Sequence, residues 1–311
     1  MSQLHPYRTI HPCRHSATHR PWVLPSVQEA RRIINEKGLL HEYLPILGLK
    51  GLRQGAARLV FGEEYAAISE KLATSQAISG TGSLHLAGAL LKYCTPKAKG
   101  RDADAVRNVY IPSPTWSNHH LLFSSLGFEV IPFDSRIIPP VWTQVPSNGK
   151  KSAASLKTGG YFRERVGALI VSTADPVVAK NTQSVLESLQ RSEISNPPAF
   201  GAKIAETVLS DDQLRSIWFE DLKTMSGRIA EMRRALFEGL NRYSPGRDWG
   251  HVLSQSGMFG FLGLEKEVVR VLKDEYHICM AENSRVLIAG LNTGNVEYVA
   301  RSIGEVLSRG Q

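Results

Sequence analysis

A chain of 311 residues is long enough to bury one large or two medium cores. Its 42% hydrophobic and 21% charged residues are those of an ordinary globular protein, and no run of about 18 apolar residues marks a membrane span. The formal charge of +8 could draw nucleic acid, but Lys and Arg are scattered, with no basic stripe interleaved with aromatics, so neither nucleic acid nor membrane is expected as a partner.

The first 22 residues hold Arg8, Arg14 and Arg20 and no acid, a composition weakly like a mitochondrial transit segment. Pro6, Pro12 and Pro21 oppose a long amphipathic helix there, so a cytoplasmic location is expected, with a mitochondrial one as the alternative. Cys13, Cys94 and Cys279 are odd in number and far apart, which argues against a disulfide framework and a zinc site. Helical patterns run from Ser26 to Gly38 and from Leu49 to Leu59. A short strand at 73–79 leads into Gly80-Thr81-Gly82, and Leu84, Ala87, Leu90 and Leu91 then mark a helical face. A second strand at 106–111 is followed by Trp116, a helix to Leu126, and a third strand at 128–133. Strands alternating with helices predict a parallel sheet.

Residues 134–160 break this rhythm and read as loop, with only Val141 to Val145 as a short strand. A buried strand resumes at 166–172, a helix opens at Pro176, and another follows Asn196-Pro197-Pro198. Leu214, Trp218, Met225, Met232, Leu236 and Leu240 line one side of a long amphipathic helix. The tail alternates again: strand 257–263, helix 265–274, strands near 277–280 and 285–289, and helix 294–308, a small α+β unit.

Ser79-Gly80-Thr81-Gly82 is the strongest local signal. Amides at a helix N-terminus bind anions, hydroxyls add donors, and glycine lets a phosphate come close. A capped glycine turn explains the same string without a ligand. Trp116 lies just past the carboxyl end of a strand, where a ring can stack on a planar ligand of an open α/β sheet, although a tryptophan is as readily core.

Several strings in order resemble the aspartate aminotransferases, fold-type-I, class-I pyridoxal-phosphate enzymes. They are Pro21-Trp22-Val23-Leu24-Pro25-Ser26, Tyr43-Leu44-Pro45-Ile46-Leu47-Gly48-Leu49, the Ser79 string and Ser113-Pro114-Thr115-Trp116. Glu164-Arg165-Val166-Gly167, Arg191 with Ser195-Asn196-Pro197-Pro198, Gly257-Met258-Phe259 and Ser284-Arg285 continue the series. The resemblance implies a fold-type-I α/β transferase with a mostly parallel central sheet, incomplete here, and a small α+β domain. It divides the chain into an N-terminal arm at 1–42, a cofactor-binding domain at 43–212 shortened between about 134 and 160, and a connecting helix with the small domain at 213–311. It implies pyridoxal 5'-phosphate held by Ser79, Gly80, Thr81 and Arg165, with Trp116 on its ring. Arg285 would take a substrate's α-carboxylate. Arg191 would take the distal carboxylate, and Tyr43 the phosphate, across the interface of a homodimer. Two arginines for two carboxylates imply aspartate, glutamate and their 2-oxo acids as substrates.

A transaminase also needs a lysine amine. Lys157 lies eight residues before Arg165, the family's spacing, although Leu156 stands where a small or hydroxyl residue is expected. Other parts depart from the pattern. Between Trp116 and Lys157 there is room for too few βα steps, the Asn-Pro-Thr-Gly string is absent, and Asp134 mimics only part of the Asp-x-x-Tyr pair. Transamination between aspartate and 2-oxoglutarate is therefore the expectation. The alternative is a truncated or mis-spliced, catalytically inactive homologue with a dimerisation or other non-enzymatic role.

Overall fold

The computed structural model describes residues 22–38, 42–94, 107–113, 115–116, 118–134, 153–157 and 164–309, with the backbone alone at 107 and 153–157. The chain divides into two compact units, Ser26–Ser216 and Ile217–Gln311, the latter with the segment ending at Pro25.

The first unit carries α1 (Pro25–Glu36), α2 (Lys50–Phe61), α3 (Tyr65–Ile68), β1 (Leu72–Ile78) and α4 (Ser79–Cys94). Then come β2 (Arg107–Ser113), α5 (Asn118–Ser125), β3 (Phe128–Asp134), β4 (Ala153–Lys157), β5 (Val166–Ser172), α6 (Pro176–Glu193) and α7 (Phe200–Ser210). The described strands form a three-stranded sheet in the order β1-β5-β4 and a β2-β3 pair. The expected parallel arrangement holds for β2 and β3. β5 is reversed, antiparallel to both neighbours, so β1 and β4 point the same way.

β5 explains why this sheet is a middle layer. Val166 to Ile170 are buried without interruption, as in a strand covered on both faces. Ala168 and Ile170 pack against Ala56, Ala57 and Phe61 of α2. Leu169 on the other face packs against Leu86 and Leu90 of α4 and Leu186 of α6. Asp175 caps α6 by accepting from the Val178 amide at 2.9 Å, with Pro176 in the first turn. The β2-β3 pair is packed by α5, Phe123 meeting Phe128 edge-on with centroids 6.0 Å apart. Gly127 (φ +79°) makes the turn out of α5 that the sequence predicts.

The loop expected at 134–160 is corrected in part. Ala153–Lys157 is a strand, fixed by pairing along β5. The short strand expected at 141–145 lies outside the described residues.

In the second unit, α8 (Asp212–Tyr243) is the long helix that the periodicity predicts, and the boundary between the units falls near its start. It is followed by α9 (Gly250–Ser254), β6 (Phe259–Phe261), α10 (Lys266–Asp274), β7 (Arg285–Leu287) and α11 (Val296–Ser308). β6 and β7 pair antiparallel. Met232, Leu236 and Leu240 of α8 share a core with Trp249, Leu262, Leu272, Ile288 and Ile303. Two strand expectations shrink here. Gly257 (φ +84°) and Gly263 (φ +67°) turn the chain at either end of β6. No strand forms at 277–280, where His277 (φ +55°) leaves the extended region and the Ile278 amide donates to the Leu272 carbonyl at 2.9 Å.

Candidate active site

The turn from β1 into α4 is where an anion can be held. Ile78 pairs with Val166, and the next residue, Ser79, donates its amide to the Arg165 carbonyl at 2.9 Å. Ser79 sits at φ +59° and Arg165 at φ +53°, conformations that side chains other than glycine rarely adopt. Ser83 Oγ donates to the Ser79 carbonyl at 3.0 Å and closes the first turn of α4. A Cβ on Gly167 would stand 2.5 Å from the Ser79 carbonyl oxygen, so only glycine allows β5 to approach this closely. The helix begins with Ser79 buried, and its first-turn amides at Gly80 and Thr81 have no partner within the helix. Arg165 is exposed beside them, with no acidic partner among the described residues. Partial positive charge, hydroxyls and a guanidinium together suit a phosphate.

Lys157 ends β4 and lies opposite Gly167, which lies opposite Ala77 across β5. Lys157 is thus two rows from the Ser79–Arg165 turn, at the same end of the sheet. Ser79 follows the carboxyl end of β1, Lys157 closes β4, Asp134 closes β3, and Trp116 follows β2. Trp116 is half-buried, with the His119 ring edge-on at 5.3 Å, and Thr115 Oγ1 lies 2.9 Å from His119 Nδ1. Asp134 is paired in register with Ser113.

Tyr43 and Arg191 are brought together by a network that the sequence did not reveal. Buried Gln190 donates through Nε2 to the carbonyls of Ile46 (2.7 Å) and Gln76 (2.9 Å). Buried Gln76 donates to the Pro198 carbonyl at 2.8 Å and accepts from the Leu49 amide at 3.2 Å. Asn196 Nδ2 donates to the Leu44 carbonyl at 3.1 Å. These bonds fasten residues 44–49 to the end of α6 and the segment beyond it. Tyr43 projects from that fastening, 88% exposed. Arg191 is also exposed, and its Nη1 donates to Ser195 Oγ at 2.6 Å, with Ser195 turned at φ +67°.

Arg285 belongs to the other unit. It opens β7 opposite Phe261, and its guanidinium carbon lies 4.7 Å from the centroid of the Phe259 ring. It has no acidic partner among the described residues. Among those residues no group of three His, Cys, Asp or Glu could hold a metal ion, and no helix is long and apolar enough to cross a membrane.

A βαβ-rich unit with an anion cradle at its strand ends, followed by a small α+β unit, is the plan of the fold-type-I aminotransferases. The chain belongs to the aminotransferase class I and II family, whose model matches residues 13–137 and 157–303. It is 31% identical to the mitochondrial aspartate aminotransferase of Dictyostelium discoideum, over 92% of this chain and 83% of that protein. That alignment spans 364 positions, more than the 311 residues present here. The aspartate aminotransferase from Saccharomyces cerevisiae cytoplasm superposes with a TM-score of 0.83 at 28% identity, covering 96% of this chain and 91% of that one. The aromatic-amino-acid aminotransferase of Burkholderia pseudomallei, covalently bound to pyridoxal phosphate, superposes with a TM-score of 0.81 at 26% identity, covering 92% and 88%.

Proposed function

We propose that this chain is an aspartate aminotransferase, passing an amino group between L-aspartate and 2-oxoglutarate with pyridoxal 5'-phosphate as its cofactor. The observation that carries the reading is the placement of Lys157, Ser79 and Arg165 at one end of the β1-β5-β4 sheet. The residue set fits a phosphorylated aldehyde: an anion cradle at the turn, and a lysine whose backbone lies two rows away on β4. When bound, the cofactor supplies an electron sink for the carbon that loses its proton.

The chain's own residues do the rest. The amides and hydroxyls of Ser79, Gly80 and Thr81 hold the phosphate, with Arg165 offering two parallel N–H donors. Lys157 would supply the amine that holds the cofactor's aldehyde and the base that moves the substrate's α-proton. Trp116 would pack against the cofactor's ring, and Asp134 is the acid the chain would offer to its ring nitrogen, where a carboxylate favours the protonated form. Arg285 takes the α-carboxylate. Arg191 takes the distal carboxylate and Tyr43 the phosphate of a second copy, which makes the working form a homodimer. Residues 43–212 form the cofactor-binding domain, with an arm before them and a small domain after. Such an enzyme is at home in cytoplasm, and relatives from both cytoplasm and mitochondria exist. The non-enzymatic reading gains no support from relatives that match 92% of the chain.

Reconstitution with pyridoxal phosphate tests this. An absorbance band of a protein-bound imine appears on mixing and is absent from Lys157→Ala, and turnover of L-aspartate with 2-oxoglutarate follows the same pattern. A band that survives Lys157→Ala would show that another lysine carries the cofactor. Full-length protein with neither band nor turnover would overturn the assignment.

A further inference from the structure

Arg233 is a buried cation with no acidic partner among the described residues. It projects from α8 at 5% exposure, and among those residues its guanidinium donates to three backbone carbonyls: Val252 at 3.2 Å, Gly257 at 2.8 Å and Phe259 at 2.8 Å. Burial lowers its pKa from the ordinary arginine value, with no charged neighbour acting in the other direction. An apolar side chain of similar volume would fill the space without the desolvation penalty. The charge is therefore tied to the carbonyls it holds.

Those carbonyls belong to the segment that supports Arg285. Gly257 turns at φ +84°, and a Cβ on Gly260 would stand 3.2 Å from Arg233 Nη1, so the segment is drawn in close to the guanidinium. Phe259, whose carbonyl Arg233 holds, lies with its ring under the Arg285 guanidinium at 4.7 Å. The Arg285 backbone is fixed separately: its amide donates to Asn283 Oδ1 at 3.3 Å and its carbonyl accepts from Ala281 at 3.1 Å. Among the described residues, the Phe259 ring is the partner of the Arg285 side chain. From the same helix, Arg228 donates to the carbonyls of Ala289 (2.7 Å) and Leu291 (2.9 Å), bracing the chain beyond β7.

We propose that Arg233 is a positioning residue for carboxylate recognition: it fixes Phe259 beneath Arg285 and so holds the guanidinium ready for a substrate's α-carboxylate. A flexible arginine must be ordered at each binding event, whereas one resting on a fixed ring has already lost that freedom. This rests on the reading of Arg285 as the carboxylate anchor.

The test is the calorimetric affinity of cofactor-loaded, full-length protein for succinate, a dicarboxylate without an amino group. Arg233→Met and Phe259→Leu each weaken binding about tenfold, the scale of a partly exposed cation–π contact. Arg233→Lys, which keeps a donor for the carbonyls, recovers part of the loss. The double variant is no worse than either single change, because both act through one contact. Arg285→Ala calibrates the experiment. If it weakens succinate binding more than tenfold while Arg233→Met and Phe259→Leu stay within twofold of the parent, the positioning role is overturned and the anchor stands. If Arg285→Ala binds as the parent does, the anchor reading falls and the positioning role with it. Fully additive losses also overturn the proposal, since Arg233 would then act other than through Phe259. Where Arg233→Met does not fold, Phe259→Leu and Arg233→Lys carry the same decision.

Discussion

Ser79 and Arg165 hold positive φ angles of +59° and +53°, on the two sides of a single hydrogen bond. For a residue with a Cβ this region costs about 1–2 kcal/mol. Ser79→Gly removes the strain at this position and, at once, one of the two hydroxyls proposed to hold the phosphate. The expected outcome is a higher denaturant midpoint in the apoprotein with weaker pyridoxal phosphate affinity. A variant that loses both stability and affinity would mean that the serine side chain mainly supports the fold.

Arg191 makes a different kind of prediction. It stands exposed with a serine as its only hydrogen-bonded side chain partner among the described residues, so it is free to meet a carboxylate. Arg191→Ala lowers kcat/KM for aspartate and glutamate roughly a hundredfold, in the range for truncating one member of a paired charge, and spares neutral amino acids. Equal losses for both substrate classes would remove Arg191 from the site.

At the scale of elements, β5 carries the arrangement. It pairs with both β1 and β4, presents Leu169 to one helical layer and Ile170 to the other, and brings the Arg165 turn against Ser79. Gly167 is its weak point. Gly167→Ala places a methyl 2.5 Å from the Ser79 carbonyl oxygen, and overpacking of this kind typically costs about 1–3 kcal/mol. The displaced Ser79 turn should also loosen the cofactor, which equilibrium dialysis would detect. Unchanged cofactor affinity in a destabilised variant would separate the packing from the site.

The legibility of these elements in the sequence followed their physics. β5 is an unbroken apolar run and α8 shows sustained helical periodicity, and both were readable. β4 was not. Its five residues, Ala-Ala-Ser-Leu-Lys, lie between Lys151 and Gly159, and only pairing along β5 makes them a strand. The turn from β1 into α4 was legible because glycine and hydroxyl residues cluster there. Gln76 and Gln190 were not, since a glutamine carries no signal of burial, and three of their four side-chain bonds span 114 to 144 residues. Arg233 was hidden for the same reason: its partners are backbone carbonyls, which any sequence provides.

For the whole molecule, the residues given roles above fall in both units. Ser79, Lys157 and Arg165 lie in Ser26–Ser216, and Arg285 lies in Ile217–Gln311. A ligand that binds only the folded form at about a hundred times its Kd adds about 2.7 kcal/mol. Saturating pyridoxal phosphate should therefore raise the melting temperature by several degrees. The rise should shrink in Lys157→Ala and Arg165→Ala and persist in Arg285→Ala. A rise of equal size in all three variants would place the cofactor elsewhere.

The pairing of β1 with β5 also sets a timetable for synthesis. β1 finds its partner only across a span that begins at Val166, and the Gln76 carbonyl waits for the Gln190 side-chain amide over a similar distance. At a typical elongation rate of about 5–20 residues per second, several seconds separate the emergence of the two strands from the ribosome. Throughout that interval the nascent chain holds α2, β1 and α4 without the strand that unites their apolar faces. The Ser79 turn proposed to hold the phosphate cannot form in that interval either, because Arg165, whose carbonyl accepts the Ser79 amide, has yet to be made. On the proposed site, cofactor capture is thus a late event, coming after β5 has joined β1.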